Sequence, residues 1–222
     1  MRAAAIARGH YSDDAPLGKK RGGCGKWNGG ALASGYGDYD DAMPLEEYEA
    51  WQRDTLTTLW SLITEDGAIF YNHKPRIQAG VLWTPLAVNP GLPVRQIVIW
   101  ARAGGINFTP AFYVPMHEWI VIFAKPAWRL KSKGASGAGD VWNISQESGT
   151  PHPAPFPEKL PLTAIETTAA KMVLDPFVGW GTTLLAAKRL GVQAVGIERD
   201  ERNCELAVRR LTGKLDLFAD MA

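Results

Sequence analysis

Residues 171–198 of this chain read KMVLDPFVGWGTTLLAAKRLGVQAVGIE. Two short apolar runs, 171–175 and 192–198, have the character of strands. The TTLLAAKRLG stretch between them has that of a helix, which Gly191 closes. A strand, a helix and a second strand at this spacing predict a parallel pair joined by a right-handed crossover.

A further helix is predicted directly after the second strand. Asp200 is placed to cap it, because a carboxylate can accept the free N–H groups of a first turn. The expected apolar face contains Cys204, Ala207, Val208 and Leu211. The alternation therefore indicates an α/β fold with a parallel sheet.

The loop DPFVGWGTT, residues 175–183, joins the first strand to its helix. In an open parallel sheet, ligands bind at this end of the strands, where glycines allow a close approach to the backbone. Asp175 suits a positively charged group, and Glu198 at the next strand end can accept both hydroxyls of a ribose. Together they predict a nucleoside pocket, in preference to an ordinary strand-to-helix turn. The loop has neither the Gly-Lys-Ser/Thr of a phosphate loop nor the third glycine of a dinucleotide site.

Upstream, a helix is predicted from Pro44 until Glu65-Asp66-Gly67 ends it. Three apolar runs then predict buried strands at 67–73, 95–102 and 118–125, since each is rich in β-branched or aromatic residues. We interpret the chain as a single domain with four consecutive parts. These are a loop-rich segment 1–43, a base-facing half 44–125, a recognition loop and linker 126–158, and a cofactor half 159–218 that begins with a helix at Leu160–Ala170.

Composition limits the class of protein. A chain of 222 residues with 46% hydrophobic residues can bury a substantial core. Basic and acidic residues nearly cancel, at 24 against 23, so any nucleic acid must be bound by local patches. Cys24 and Cys204 are too few and too far apart for a disulfide framework or a zinc site, and no metal is expected. Without a signal peptide or an apolar span, a cytoplasmic protein that does not enter membranes is predicted.

The loop DPFVGWGTT resembles the DPFxGSGTT signature of DNA amino-methyltransferases, which make N6-methyladenine or N4-methylcytosine, with Trp180 in place of the usual serine. Other stretches similar to phage and bacterial members are GYGDYDDAMPLEEYEAWQ, GAIFYNHKPR, RQIVIWARAGGINF, HEWIVIFAK, GDVWNI and HPAPFPEKLP. The cofactor loop follows the base-facing segments, as in the permuted subgroup called beta. The resemblance implies a Rossmann-like sheet with a circularly permuted motif order.

The same resemblance implies that the cofactor is S-adenosyl-L-methionine. It would place Asp175, Phe177, Gly179, Gly181 and Thr182 around the methionine part, Glu198 at the ribose, and Phe156 of HPAPFP over the pocket. Taken alone, HPAPFP shows only a stiff, extended segment before a helix, and a linker is an equally good interpretation.

The tetrapeptide that performs the family's chemistry, Asp/Asn/Ser-Pro-Pro-Tyr, has no counterpart here. It accepts the amine hydrogens and stacks on a flipped base, but this sequence contains no Pro-Pro. The nearest candidate is Gly9-His10-Tyr11, in which Tyr11 keeps the ring; an ordinary loop tyrosine is the alternative. The strand before that tetrapeptide could come only from Arg2–Ala7, which is short and poor in β-branched residues. One or two N-terminal strands of the sheet are therefore expected to be missing.

Three explanations for this gap compete: a true start upstream of Met1, a split enzyme completed by a partner chain, and a decayed gene. The other segments keep their core pattern, which favours the first. For DNA contacts, a basic and aromatic patch without acids is predicted to neutralise phosphates and stack on a base, with a solvated loop as the alternative. Its residues are Lys125, Trp128, Arg129, Lys131 and Lys133.

Three functions follow from these observations. The first is a site-specific DNA methyltransferase of a restriction-modification system, and the second is a silent remnant or subunit that binds S-adenosyl-L-methionine and DNA without turnover. The third, methylation of RNA or a small molecule, is disfavoured because enzymes that methylate small molecules usually carry the cofactor loop early in the chain.

Overall fold

The computed structural model describes residues 43–78, 80–102, 110–146 and 156–213. The chain divides into two compact units, Met1–Trp128 and Arg129–Ala222. The predicted loop over 1–43, the strand proposed at Arg2–Ala7 and the candidate Tyr11 lie outside the described residues, apart from residue 43. The helices in the described ranges lack the combined length and apolar character of a membrane crossing.

The first unit contains one long helix and five strands within its described residues. Their bounds are α1 Leu45–Leu62, β1 Ala68–His73, β2 Arg76–Gln78, β3 Val81–Trp83, a 3-10 turn Pro85–Val88, β4 Val94–Ala101 and β5 His117–Ala124. The predicted helix and the three predicted strands are confirmed to within a few residues. The β2–β3 hairpin was not predicted; Gly80 forms its turn with φ +72°.

Strand β5 lies between β1 and β4, and both neighbours run antiparallel to it. Ile69 pairs with Phe123, and Ile97 pairs with Val121. Antiparallel neighbours bring the apolar residues of one face together, and α1 covers that face with Leu56. The buried core of the unit consists of Leu56, Trp83, Val88, Val121 and Phe123.

The second unit carries the predicted alternation of strands and helices. Its elements are a 3-10 turn Gly134–Ala138, β6 Val141–Asn143, α2 Lys159–Thr167, β7 Met172–Asp175, α3 Thr182–Arg189, β8 Gln193–Gly196 and α4 Glu201–Thr212. Strands β7 and β8 are parallel, as predicted, with Met172 opposite Gln193 and Asp175 opposite Gly196. Helix α3 is the crossover between them, and its buried Ala186 and Ala187 pack with Ile165 of α2.

Two predictions for this unit need correction. Helix α2 ends at Thr167 rather than Ala170, because Thr168 is extended and its N–H bonds back to Ile165. In α4, Asp200 caps the helix as predicted by accepting from the Arg202 N–H at 2.9 Å. Of the predicted apolar face of α4, Ala207 is buried and Cys204 and Leu211 are half-buried, whereas Val208 is 58% exposed and does not belong to it.

Candidate functional site

The carboxyl ends of β7 and β8 lie side by side and are joined through the loop that follows β7. The Ile197 N–H donates to the carbonyl of Asp175 at 2.9 Å, which extends the parallel pairing beyond β8. The Val178 N–H then donates to the carbonyl of Ile197 at 3.0 Å. Asp175 and Glu198 therefore belong to one edge of one sheet, as the sequence indicated.

Glu198 binds this loop directly. One oxygen, Oε2, accepts from the Gly179 N–H at 2.9 Å, and the other, Oε1, accepts from the N–H groups of Arg199 and Asp200 at 2.8 Å each. A carboxylate has about four acceptor positions, and three are used here. The arrangement leaves room for one further hydroxyl rather than for both hydroxyls of a ribose.

Asp175 and Phe177 form the opposite side of the site. Oδ1 of Asp175 accepts from the Phe177 N–H at 3.0 Å, which gives the loop an Asx turn. Among the residues that the structure describes, no hydrogen-bond donor reaches Oδ2. The Phe177 side chain is 54% exposed. An acceptor oxygen and an apolar ring are thus presented at the strand end.

The two loop glycines have backbone conformations that residues with side chains rarely adopt. Gly179 has φ +52° and Gly181 has φ +90°. A Cβ added at Gly181 would lie 3.1 Å from Cβ of Ala207, so the loop rests directly on α4. Gly181 is also the N-cap of α3 and has no side chain to occupy that end. An uncapped helix N-terminus attracts anions, because its N–H groups and dipole are positive.

Thr182 does not face open solvent, since it is 2% exposed. Its Oγ1 accepts from Nη1 of Arg210 at 3.0 Å. The same guanidinium lies 4.0 Å from the ring centre of Trp180, which is 5% exposed. Trp180 therefore packs towards α4 and does not fill the turn between Asp175 and Glu198.

Sequence reasoning missed Arg210 and Ala207 as parts of the site. Ala207 had been assigned to a generic apolar face, and Arg210 lies one turn further along the same side of α4. A small residue followed three positions later by an arginine was the available signal. Phe156 lies just before α2, and within the described residues no ring contact or hydrogen bond joins it to the loop.

The first unit contains a second buried polar group, centred on His73 at the end of β1. Its Nδ1 bonds to the carbonyl of Lys74 at 2.9 Å, and its Nε2 bonds to the Tyr48 hydroxyl at 2.7 Å. Burial, with a further contribution from Arg76, lowers the pKa of His73 to about 4. The ring is therefore neutral near pH 7. Because a carbonyl can only accept, Nδ1 carries the proton and Nε2 accepts from Tyr48.

Arg76 lies beside this histidine and is 6% exposed. Its guanidinium is 4.2 Å from the Trp83 ring centre and 5.5 Å from that of Tyr48. Trp83 in turn donates from Nε1 to Oε1 of Glu49 at 2.8 Å. Within the part of the chain that is described, Nε and Nη2 of Arg76 have no hydrogen-bond partner. The Trp83 and Tyr48 rings thus help to stabilise this buried cation.

The predicted DNA-binding residues differ in their surroundings. Trp128 is 9% exposed, and its ring centre lies 6.2 Å from that of Phe70. The Arg95 guanidinium lies 5.9 Å from the Trp128 ring centre. Lys125 holds its Nζ 4.2 Å from the centre of the Trp60 ring. The remaining three, Arg129, Lys131 and Lys133, are exposed. Burial of Trp128 is a correction to its expected role, because its ring would have to leave these contacts to stack on a base.

No metal centre is apparent in the described ranges, where no three His, Cys, Asp or Glu side chains come together. The chemistry available at the loop is instead that of a zwitterion site. Asp175 favours a cation, and the N-terminus of α3 favours an anion. Phe177 can cover an apolar portion between them.

Comparison with known proteins gives a consistent result. Residues 14–209 match the family described as DNA methylase, N6_N4_Mtase. The Type II methyltransferase M.ScaI of Streptomyces caespitosus is 37% identical, with 78% of this chain and 70% of that protein aligned. The Type II methyltransferase M.BglII of Bacillus subtilis is 27% identical over 80% of this chain. The chain spans only 60% of the length of M.BglII.

Solved structures share the fold. TTHA0409 of Thermus thermophilus, in complex with S-adenosyl-L-methionine, matches with a TM-score of 0.56 and 26% identity, covering 76% of this chain and 79% of that one. The PvuII DNA methyltransferase, which is cytosine-N4-specific, matches with a TM-score of 0.65 over 84% of this chain and 78% of that one. Its 18% identity supports the shared fold alone.

Proposed function

Since the chain belongs to the N6/N4 DNA methylase family, we propose that it takes part in site-specific methylation of DNA. The methyl group passes from the sulfonium of S-adenosyl-L-methionine to an exocyclic amine of adenine or cytosine. The nitrogen lone pair forms the new bond, the sulfur keeps the electrons of the old one, and the amine loses a proton. The products are the methylated base and S-adenosylhomocysteine.

The observation that carries the proposal is the loop between β7 and β8. It ends one parallel strand with Asp175, opens α3 with Gly181, and is held by Glu198 from the neighbouring strand. The methionine part of the cofactor carries one ammonium and one carboxylate group. These match the acceptor oxygen of Asp175 and the N-terminus of α3. The free acceptor position on Glu198 is suited to one ribose hydroxyl.

Isothermal titration of the full chain with S-adenosyl-L-methionine tests this assignment. Wild-type protein should release heat with one site per chain. Asp175→Ala should abolish that heat, because the ammonium group would lose its carboxylate in a partly buried setting. Asp140→Ala is the matched control, since Asp140 is an exposed carboxylate of the same unit. If Asp175→Ala binds S-adenosyl-L-methionine as the wild type does, the cofactor does not bind at this loop.

Turnover needs a separate experiment. Transfer of labelled methyl groups to DNA should be measured with the chain alone and with an added segment that carries Asp/Ser-Pro-Pro-Tyr. Base analysis of the product then distinguishes N6-methyladenine from N4-methylcytosine. Methyl transfer only with the added segment would identify a missing N-terminal part or a partner chain.

The second candidate is a protein that binds the cofactor and DNA without turnover. The family's base-binding tetrapeptide contains a Pro-Pro pair that these 222 residues lack, so turnover by the chain alone is the measurement that separates the two candidates. Tyr11 is the residue to substitute if the chain alone is active. In either case DNA is the proposed partner, and the cytoplasm, where bacterial DNA lies, is the proposed location.

A further inference from the structure

Trp180 is an apolar side chain in the middle of a ligand loop, yet it is 5% exposed. The Arg210 guanidinium lies 4.0 Å from its ring centre. Its indole Nε1 is buried and has no acceptor among the described residues. An unpaired buried N–H opposes burial of the indole, because it has lost its hydrogen bond to water without gaining another. The cation over the ring is therefore a substantial part of what keeps the indole in place.

Arg210 also reaches the residue that begins α3. Nη1 donates to Oγ1 of Thr182 at 3.0 Å, so one guanidinium contacts both sides of Gly181. Gly181 itself lies against Ala207, where an added Cβ would be 3.1 Å from the alanine Cβ. Three consecutive loop residues, 180–182, thus rest on one face of α4.

The opposite side of the loop is held by Glu198, which accepts the Gly179 N–H. The loop is consequently fixed from two directions, by a carboxylate at the end of β8 and by an arginine in the last turn of α4. Gly179 and Gly181 both have positive φ values. A glycine adopts positive and negative φ about equally readily, so these two residues do not fix the shape of the loop by themselves. Contacts from outside the loop must therefore select its shape.

We propose that Arg210 is a positioning residue for the methyl-donor loop, which it holds in its binding shape through Trp180 and Thr182. This inference rests on the proposed function, because it assumes that S-adenosyl-L-methionine binds at this loop. In this proposal α4 contributes to cofactor affinity through Arg210, in addition to the carboxylates of Asp175 and Glu198 at the strand ends.

The test is titration of S-adenosyl-L-methionine into the full chain carrying Arg210→Met. Methionine keeps much of the side-chain volume but removes the cation and the donor, so we expect Kd to rise about tenfold. Arg209→Met is the matched control, since Arg209 is exposed and next to Arg210 on the same helix; its Kd should stay within about twofold of wild type. Wild-type binding with an equal Kd for Arg210→Met overturns this inference alone. A wild-type chain that releases no heat overturns the proposed function and this inference with it.

A double-mutant comparison of Kd, made on folded protein, tests whether Arg210 acts through Trp180. Trp180→Ser removes the ring, so Arg210→Met should raise Kd only about threefold in that background, through the lost bond to Thr182. An equal tenfold loss in both backgrounds would show that Arg210 acts elsewhere, and would overturn the proposal.

If Arg210→Met does not fold, Arg210→Lys tests the proposal instead, because it keeps the charge and loses the planar fork. Its Kd should rise about two- to fivefold, and an unchanged Kd counts against the proposal.

Discussion

Each unit of the molecule holds an arginine against a buried tryptophan. In the first unit, Arg76 lies 4.2 Å from the ring centre of Trp83. In the second, Arg210 lies 4.0 Å from that of Trp180. The tryptophans are almost equally buried, at 9% and 5% exposed. The two pairs therefore share one feature, a guanidinium close to a buried indole ring, in different parts of the fold.

They differ in what the tryptophan belongs to. Trp83 ends strand β3 and packs in the core with Leu56 and Phe123. Trp180 belongs to a loop between a strand and a helix. A cation over a core ring adds to stability that many contacts already supply, whereas a cation over a loop ring selects one shape among several. We therefore expect loss of the first pair to reduce stability and loss of the second to reduce ligand affinity.

Trp83→Ala gives the largest expected effect. It removes a core ring, the hydrogen bond to Glu49 and one face of the site around Arg76, so the free energy of unfolding should fall by about 3–5 kcal/mol. Urea titration of the full chain measures this change. Trp51→Ala is the control, because Trp51 is 39% exposed on α1 and its loss should cost about 1 kcal/mol or less. Equal losses for both variants would contradict a core role for the Arg76 pair.

The next largest expected effect is on the pH dependence of the free energy of unfolding, through His73 of the first unit. His73 has a pKa of about 4 in the folded protein, against 6.5 when exposed. A depressed histidine pKa means that the unfolded chain binds the proton more tightly. The stabilisation is therefore complete above pH 6.5 and is lost as the pH falls towards 4. For this one proton the loss amounts to roughly 3 kcal/mol.

Urea titrations at pH 7 and pH 4.5 should show this loss in wild-type protein and a smaller one in His73→Gln, which has no proton to take up. The groups around His73 are Tyr48, Tyr71, Arg76 and Trp83, and none of them titrates in this range. Burial raises the pKa of Glu118, which acts in the opposite direction, but equally in both proteins. Parallel pH dependence in the two proteins would mean that His73 is not held neutral by this site.

The comparison also shows what the sequence can predict. The β7–β8 pair, its crossover helix and the cap at Asp200 follow from local pattern, because apolar period, glycine position and cap chemistry act over a few residues. The β2–β3 hairpin was missed, since its strands of three residues are too short for a period and only Gly80 marks the turn.

The candidate site was predictable only in part, for the same reason. Asp175 and Glu198 follow strands that the pattern identifies, so their shared edge could be inferred. The contacts of Arg210 with Trp180 and Thr182 join residues about thirty positions apart, and no local period encodes them. His73 and Arg76 both lie in the stretch GAIFYNHKPR, but the rings of Tyr48 and Trp83 that pack on them come from α1 and β3, which no local pattern links to it.

The smallest expected effect concerns the cations of the predicted DNA-binding patch. Lys125 already lies over the Trp60 ring, at 4.2 Å, whereas Lys131 and Lys133 are exposed. Each lysine that neutralises a phosphate contributes about 0.9 to the slope of log K against log salt concentration. Replacing Lys131 and Lys133 with glutamine should therefore reduce that slope by about 2, measured by fluorescence anisotropy with duplex DNA. Lys125→Gln should leave the slope unchanged, because the Lys125 Nζ is held over the Trp60 ring rather than at a phosphate. A slope that falls with Lys125→Gln and not with the double variant would show that a cation over an aromatic ring remains available to DNA, and the contrast between the two kinds of cation would then fail.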